Sequence, residues 1–242
     1  MIDTTLVVYS HSSCSDLWPM FCGQIEEHLS FKRKILITNE IDWTRDGWEL
    51  VFYEDDWSHP QKMVHGLDHV KTETCFLHLE DMPLYDKPNE EKISEYLKLI
   101  KEDKLDYVKM IRADGLDYPI IENELYTVPI YSNNLFAVQP SLWNVSKLKE
   151  IYQRVKDTGY SEVTAKGFEP AAQQPSREML IRGSFVYNDA DEKRGMFHYD
   201  SGVYPFICTA VVKGNWNTKE YPKEMEMLFK KYNINKNDRG TL

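Results

Sequence analysis

The sequence predicts an α/β protein with a mainly parallel sheet, helices on both faces of that sheet, and an elaborated C-terminal half. Short β-branched and aromatic runs alternate with segments of helical spacing as far as residue 111. These runs end in polar residues, as expected where parallel strands present a ligand-binding edge. Beyond that point the alternation is less regular, which indicates elaboration of the same domain.

The first half contains the clearest elements. Asn89 is a suitable N-cap, and the acidic pair Glu90 and Glu91 suits the positive end of a helix dipole. The predicted strands are 6–9, 34–38, 48–53, 75–79 and 107–111, and the predicted helices are 17–29, 58–70 and a helix after Asn89 with Ile93, Tyr96, Leu97 and Ile100 as its buried stripe.

The second half is assigned with fewer signals. The predicted strands are 125–131, 135–138 and 203–212, and the predicted helices are 146–155 and one that ends within 177–183. We expect one domain over residues 1–232, followed by a polar tail over 233–242 that is polar enough to be mobile.

Composition limits the function classes. Apolar residues make up 42% of the 242 residues, which is ample for a core. The net charge of −10 argues against a broad nucleic-acid interface, because such an interface needs clustered Lys and Arg. There is no apolar run of about 20 residues and no basic, apolar leader, so we expect a cytoplasmic protein without a transmembrane segment. The four cysteines form no CxxC pattern and are interpreted as reduced thiols.

Two adjacent carboxylates, Glu80 and Asp81, follow the apolar run 75–79. A carboxylate beside a core loses hydration, so it is usually paired, hydrogen-bonded or bound to a metal. Mg²⁺ and Mn²⁺ prefer oxygen ligands and often share them with phosphates, which makes a diphosphate-bearing substrate a natural interpretation. The alternative is a solvated loop pair ahead of a turn at Pro83.

The order of several segments resembles the glycosyltransferases of the GT-A type, which have a Rossmann-like fold. The resemblance covers most of residues 5–217. It rests on the strand and polar loop 6–15, then FLHLED in the place of the DXD motif, DYVKMIRAD, NNLFAVQPSLWNVSKLKEIY, GFEP and HYDSGVYPFICTAVVKGNW.

The resemblance implies transfer of a sugar from a nucleoside diphosphate-sugar donor to a hydroxyl on a glycan or small molecule. The implied donor-binding residues are Ser10, His11, Asp55, Glu80 and Asp81. Glu169 in GFEP, placed by its Pro170 neighbour at the first position of a helix, resembles the general base of inverting members. A helix-capping acid is the alternative for Glu169, and a retaining reaction stays open.

A divalent cation, Mn²⁺ or Mg²⁺, is also implied. The DXD pattern wants two aspartates flanking one residue, but Leu79 occupies the first aspartate position here. The implied metal ligands are Asp81 and His198, and imidazole suits Mn²⁺ better than Mg²⁺. His198 is equally well interpreted as an ordinary polar residue at a turn. Two other clusters are alternative metal sites: the acidic residues 54–56, and the histidines His65 and His69.

Other functions compete with this one. A sugar-phosphate nucleotidyltransferase usually has a Gly-rich, basic loop after its first strand, and SHSSCSDLWP has neither glycine nor a Lys or Arg. A non-catalytic carbohydrate-binding protein is the other alternative. Three basic residues could assist phosphate binding: Arg177, Arg182 and Lys213.

Overall fold

The computed structural model describes residues 1–111, 125–162, 164–186 and 193–242, apart from the side chain of Lys166. An eight-stranded sheet has the order β3-β2-β1-β4-β7-β5-β8-β6, with a separate β9–β10 hairpin. The strands are β1 (Ile2–Tyr9), β2 (Phe31–Asn39), β3 (Glu49–Tyr53), β4 (Thr74–Leu79), β5 (Tyr107–Lys109), β6 (Leu125–Val128), β7 (Ser141–Asn144), β8 (Gly183–Val186), β9 (Val211–Val212) and β10 (Asn215–Trp216). The helices are α1 (Trp18–His28), α2 (His59–Asp68), α3 (Glu90–Lys101), α4 (Val145–Asp157), α5 (Ala165–Glu178) and α6 (Pro222–Tyr232).

Strands β1 to β4 form a parallel block. Tyr9 at the end of β1 is opposite both Ile37 of β2 and Leu79 of β4, and Asn39 is opposite Tyr53 of β3. The residues that follow these strands therefore share one edge of the sheet, which we call the carboxyl edge. Polar groups that are distant in sequence meet there.

The rest of the sheet is mixed. Strand β7 runs antiparallel to its neighbours β4 and β5, β8 is parallel to β5, and β6 pairs antiparallel with β8 at the sheet's end. Because α5 precedes β8, it runs from the carboxyl edge back towards the opposite edge. Its first turns consequently lie at the carboxyl edge.

Helices cover both faces of the sheet, as the sequence predicts. One core layer joins the sheet to α1, α3 and α6, and the other joins it to α2, α4 and α5. In β1, Leu6 and Val8 belong to the first layer and Val7 to the second. Burial on both faces explains why the parallel strands are continuous apolar runs.

Two predicted strands differ from the structure. Residues 135–138 form a loop rather than a strand, although Leu135 and Phe136 are buried in the core. The strand lies instead at Ser141–Asn144. Most of 203–212 is not a strand, since Phe206 makes a single bridge with Leu84 and only Val211–Val212 is extended in a hairpin. Burial alone gave these segments their apolar pattern.

The predicted tail 233–242 contacts the domain. It includes a short 3-10 helix at Lys236–Asp238, a bridge from Thr241 to Trp216, and an ion pair between Arg239 and Asp16. The domain boundary at residue 232 remains a prediction. Within the described residues, the helices all fall short of the length and apolarity that crossing a membrane requires.

Candidate functional site

The carboxyl edge of the parallel block brings together the five predicted donor-binding residues, with Asp81 directly after Glu80. Ser10 directly follows β1, Glu80 directly follows β4, and Asp55 comes two residues after β3. His11 extends from the loop that Ser10 begins.

His11 joins the ends of β1, β2 and β3. Its Nδ1 accepts a hydrogen bond from the backbone N–H of Ser13 at 3.0 Å, so a neutral ring carries its proton on Nε2. That Nε2 lies 3.2 Å from Oδ1 of Asp55. Asn39 connects Asp55 to the loop that carries His11. Its Nδ2 lies 3.5 Å from Oδ2 of Asp55, and its Oδ1 accepts a hydrogen bond from the backbone N–H of Ser12 at 2.7 Å. The result is a polar, partly exposed cluster with fixed orientation.

Ser10 is buried next to this cluster and is hydrogen-bonded to the core. Its Oγ accepts a hydrogen bond from Nε1 of Trp18 at 2.7 Å, and its carbonyl accepts one from the hydroxyl of Tyr53 at 2.8 Å. The ring of Tyr53 stacks on Tyr9 with centroids 5.8 Å apart. Ser10 thus fixes the path of the loop after β1.

Glu80 and Asp81 lie next to the same loop. Glu80 is 9% exposed, and electrostatic contacts join its carboxyl group to Cys14 and Ser10. Burial, followed by the neighbouring charge of Asp81, raises the pKa of Glu80. Burial also raises the pKa of Asp81. Two poorly hydrated carboxyl groups side by side favour a bound cation, a shared proton or a hydroxyl-bearing ligand at this point.

Asp81 is held by a segment from the C-terminal part of the chain. The hydroxyl of Thr209 donates to Oδ2 of Asp81 at 2.7 Å, and the backbone N–H of Ala210 donates to the Asp81 carbonyl at 2.6 Å. Asn217 supports this segment through its Nδ2, which donates to the Thr209 carbonyl at 3.2 Å. The sequence reasoning missed Thr209, because nothing local to residue 209 indicates a partner at residue 81.

His198 lies in a different set of contacts. Its Nδ1 accepts from the backbone N–H of Arg194 at 3.1 Å, and its Nε2 lies 2.9 Å from Nε of the same arginine and 3.4 Å from Oδ1 of Asp200. Both ring nitrogens therefore face Arg194. The described residues contain no group of three or more His, Cys, Asp or Glu side chains that could hold a metal. The residues present do not by themselves fit the metal site predicted at Asp81 and His198, so we derive no step through a metal ion.

Glu169 lies in the second turn of α5, not at the first helical position that GFEP predicted. Thr164 caps the helix, which begins at Ala165. Oε1 of Glu169 accepts a hydrogen bond from the backbone N–H of Val138 at 2.7 Å. Burial raises the pKa of Glu169, while the Val138 N–H and the charge of Lys109 oppose that rise. Its Oε2 is left as the oxygen for other contacts.

Glu169 is the first of three α5 side chains, one turn apart, that bind the loop between β6 and β7. Gln173 accepts from the backbone N–H of Phe136 at 3.1 Å and donates to its carbonyl at 2.7 Å. Arg177 donates to the carbonyl of Ser132 at 3.3 Å. This row, Glu169–Gln173–Arg177, is called the α5 clamp below. It accounts for Arg177 as a loop contact.

Lys109 is a residue that the sequence reasoning missed. It ends β5 at the carboxyl edge, is 1% exposed, and donates through Nζ to the carbonyl of Asn134 at 2.6 Å. The sequence signal that could have identified it is a lysine at the end of an apolar strand, because ligands in such folds bind at the carboxyl ends of the strands. Its positive charge acts on Glu169.

The remaining candidates lie elsewhere. Arg182 pairs with Asp106 at 3.0 Å before β5 begins, at the edge opposite to the site. Lys213 lies in the β9–β10 turn. His65 and His69 contact one another edge to face with ring centroids 5.3 Å apart.

Comparison with solved structures identifies the fold. The chain is similar to S. aureus TarS 1-349, a GT-A-like glycosyltransferase, with a TM-score of 0.51 and 11% identity over 94% of this chain and 64% of the TarS chain. The structure of the same protein in complex with UDP has a TM-score of 0.49 and 10% identity, over 94% of this chain and 64% of the TarS chain. Francisella tularensis 2-C-methyl-D-erythritol 4-phosphate cytidylyltransferase (IspD) has a TM-score of 0.48 and 11% identity, over 76% of this chain and 90% of that chain.

The chain therefore has the α/β, GT-A-like fold that the sequence predicts, and it spans 64% of the length of TarS 1-349. The sequence matches no protein-family model and no curated protein. At this level of identity the similarity concerns the fold, so the chemistry must be argued from the side chains.

Proposed function

We propose that this protein is a glycosyltransferase that moves a sugar from a nucleoside diphosphate-sugar donor to a hydroxyl acceptor on a glycan or small molecule. The observation that carries the proposal is the meeting of His11, Asn39, Asp55 and Glu80 at the carboxyl edge of four adjacent parallel strands. In open α/β sheets this edge is where nucleotides bind.

The donor would lie along that edge. The exposed carboxylate of Asp55, which Nε2–H of His11 holds in place, offers hydrogen bonds to a base or a ribose. The diphosphate would then approach Glu80 and Asp81, whose pKa values are raised by burial. Because these groups are costly to ionise, they would carry fewer charges against the phosphates than exposed carboxylates would.

Glu169 would act as the general base of an inverting reaction. The acceptor hydroxyl attacks the anomeric carbon, a new C–O bond forms, and the bond from that carbon to the diphosphate oxygen breaks. The hydroxyl proton passes to Glu169, and the nucleoside diphosphate leaves. Oε1 is occupied by the Val138 N–H, so Oε2 would take the proton. The raised pKa of Glu169 makes it a better proton acceptor. General-base catalysis by a positioned side chain is typically worth about 10²–10⁴-fold.

The dependence on Mn²⁺ or Mg²⁺ stays a prediction. Transfer assays with each metal and with a chelator decide this point independently of the rest of the proposal. Activity that is unchanged in chelator would exclude the cation.

The proposal is tested first by binding. A thermal-shift screen with UDP-, GDP-, CMP- and dTDP-sugars, each with and without Mn²⁺, should give stabilisation by one nucleotide class, because a ligand of the folded state raises its apparent stability. Asp55→Asn should weaken that shift. Stabilisation by none of the nucleotides in any metal condition would overturn the proposal.

Turnover is tested second. Glu169→Gln keeps an oxygen for the Val138 N–H and removes the base, so it should retain donor binding and lose transfer. Glu178→Gln is the matched control, since Glu178 lies on the same helix and contacts Gln174. Equal activity of both variants would exclude Glu169 as the base. Donor binding without any transfer would identify a carbohydrate-binding protein instead.

A further inference from the structure

The C-terminal part of the chain contacts the candidate donor site from two directions. We use the name clasp for residues 208–217 together with 239–242. The first direction is the contact of Thr209 and Ala210 with Asp81 described above. The second is an ion pair from Arg239 to the loop after β1. Both contacts join residues that are more than 100 positions apart.

The second contact has good geometry. Nε and Nη2 of Arg239 donate to Oδ2 and Oδ1 of Asp16, each at 2.6 Å. Such a two-pronged pair fixes orientation as well as distance. The Arg239 side chain is 17% exposed, so solvent screens this pair less than a fully exposed one. Arg239 also interacts electrostatically with the thiol of Cys14, which in turn interacts with Glu80.

The clasp is anchored in the core at Trp216. This residue is 1% exposed and contacts Phe229 of α6 edge to face, with centroids 5.0 Å apart. Its backbone N–H donates to the Gly240 carbonyl at 3.0 Å, and its carbonyl accepts from the N–H of Leu242 at 3.1 Å. The guanidinium of Arg239 lies 5.6 Å from the centre of the Trp216 ring. Arg239 thus follows a segment that is hydrogen-bonded to the buried Trp216, and its guanidinium contacts both the Trp216 ring and Asp16.

We infer that Arg239 is a positioning residue that fixes the loop carrying Ser10 and His11 by holding Asp16, so that the clasp sets the geometry of the donor site. The loop consists of Ser10 to Asp16 and contains a short 3-10 helix at Ser12–Cys14. Its amino end is fixed by Trp18 and Tyr53, and its carboxyl end is fixed by Arg239. Loss of the Arg239 contact removes the hydrogen bonds at Asp16, and the loop that carries His11 then keeps those to Trp18, Tyr53 and Asn39.

The consequence for the donor rests on the proposed function. A loosened loop must be ordered again before His11 and Asp55 meet, and that cost lowers nucleotide affinity. Chemistry at the sugar should change less, because Arg239 does not contact Glu169 in the described residues. Removal of Arg239 should therefore raise the donor KM by about fivefold, equivalent to about 1 kcal/mol, with little change in kcat.

The loop itself can be tested without any substrate. Cys14 is partly exposed while Cys22, Cys75 and Cys208 are buried, so a thiol-specific disulfide reagent should report on Cys14 first. Burial raises the pKa of the Cys14 thiol and Arg239 opposes that rise, so the rate constant of the thiolate is taken from the full pH profile of modification. Arg239→Ala should increase this thiolate rate constant, called the Cys14 rate below, by about fivefold. Lys236→Ala is the matched control, because Lys236 is in the same segment and makes an exposed 3.9 Å contact with Glu226. Cys14→Ser identifies the reacting thiol.

A charge exchange separates positioning from general damage. Asp16→Arg and Arg239→Asp should each increase the Cys14 thiolate rate constant, from which the change in thiol pKa has been removed by the pH profile, and the double variant should return it towards that of the native protein. An unchanged rate in Arg239→Ala, or the lack of recovery in a folded double variant, would overturn the inference. If the rates behave as expected but no nucleotide binds, the loop contact stands and the proposed function fails.

Discussion

The two halves of the carboxyl edge are built in different ways. On the β1–β4 half, polar residues directly follow parallel strands and contact each other across neighbouring strands, as His11, Asn39 and Asp55 do. On the other half, Glu169 extends from a helix and binds a loop that comes earlier in the chain. A site built on strand ends follows from the register of a sheet, whereas a site built on a helix and a loop depends on packing.

The sharpest test of this difference is Glu169→Gln, which should reduce transfer by about 10²–10⁴-fold if the second half supplies the base. The fold should be retained, because glutamine keeps the acceptor for Val138. Steady-state kinetics with circular dichroism on the same sample measure both quantities. Full activity would restrict the role of Glu169 to the α5 clamp.

His59 lies between the two halves, in contact with Tyr9 of β1 and Phe168 of α5. The effect of its protonation on the free energy of unfolding therefore tests the packing between them. His59 is fully buried, contacts Tyr9 at 4.8 Å and Phe168 at 5.3 Å, and neither ring nitrogen has a hydrogen-bond partner among the described residues. Burial lowers its pKa from 6.5 to about 3. The neutral form is thus the one that the folded state favours.

The sign of the pH effect follows from this shift. Below pH 6.5 the unfolded chain binds a proton at His59 that the folded chain does not, so stability falls as the pH decreases towards about 3. The slope from this group approaches about 1.4 kcal/mol per pH unit. Urea unfolding from pH 7 to pH 4 should show a shallower decline in His59→Phe. Parallel curves for the two proteins would contradict the assignment.

The α5 clamp can be broken at its centre. Gln173→Leu should destabilise the protein by about 1–3 kcal/mol, because the buried backbone N–H and carbonyl of Phe136 lose their partner. Gln174→Leu, one residue along, is the control, since Gln174 makes an exposed contact with Glu178. Denaturant midpoints for the two variants measure the difference. Equal midpoints would mean that the loop is held by its apolar residues alone.

The smallest stability effect is expected on the β1–β4 half. Asp55→Asn alters a contact between exposed groups, so the free energy of unfolding should change by less than about 1 kcal/mol. Its effect should appear in nucleotide affinity instead. Calorimetric titration with the nucleotide found by the screen measures that change. A large loss of stability with unchanged affinity would make Asp55 a structural residue.

Much of the fold could be predicted from the sequence. The strands of the parallel block are continuous apolar runs that end in polar residues, and the Asn89 cap lies as predicted, accepting from the backbone N–H of Lys92 at 3.1 Å. The position of Glu80 and Asp81 at the end of β4 follows from the same signal, whereas the donor-binding role of the residues on this edge is implied by the resemblance and stays a proposal. The later segments were harder, because Leu135 and Phe136 are buried in a loop that α5 holds. Apolar character there reports burial, and burial does not distinguish a loop from a strand.

The sequence by itself determined the parallel block, the edge on which its polar residues meet, and the place of Glu80 and Asp81 after β4, because these depend on local patterns of period two and on chain order. Only the tertiary structure decided which groups hold them. Thr209 reaches Asp81, Arg239 reaches Asp16, and Glu169 is bound to Val138 through contacts between distant segments. Such contacts arise when packing brings separate elements together, and no local pattern encodes them.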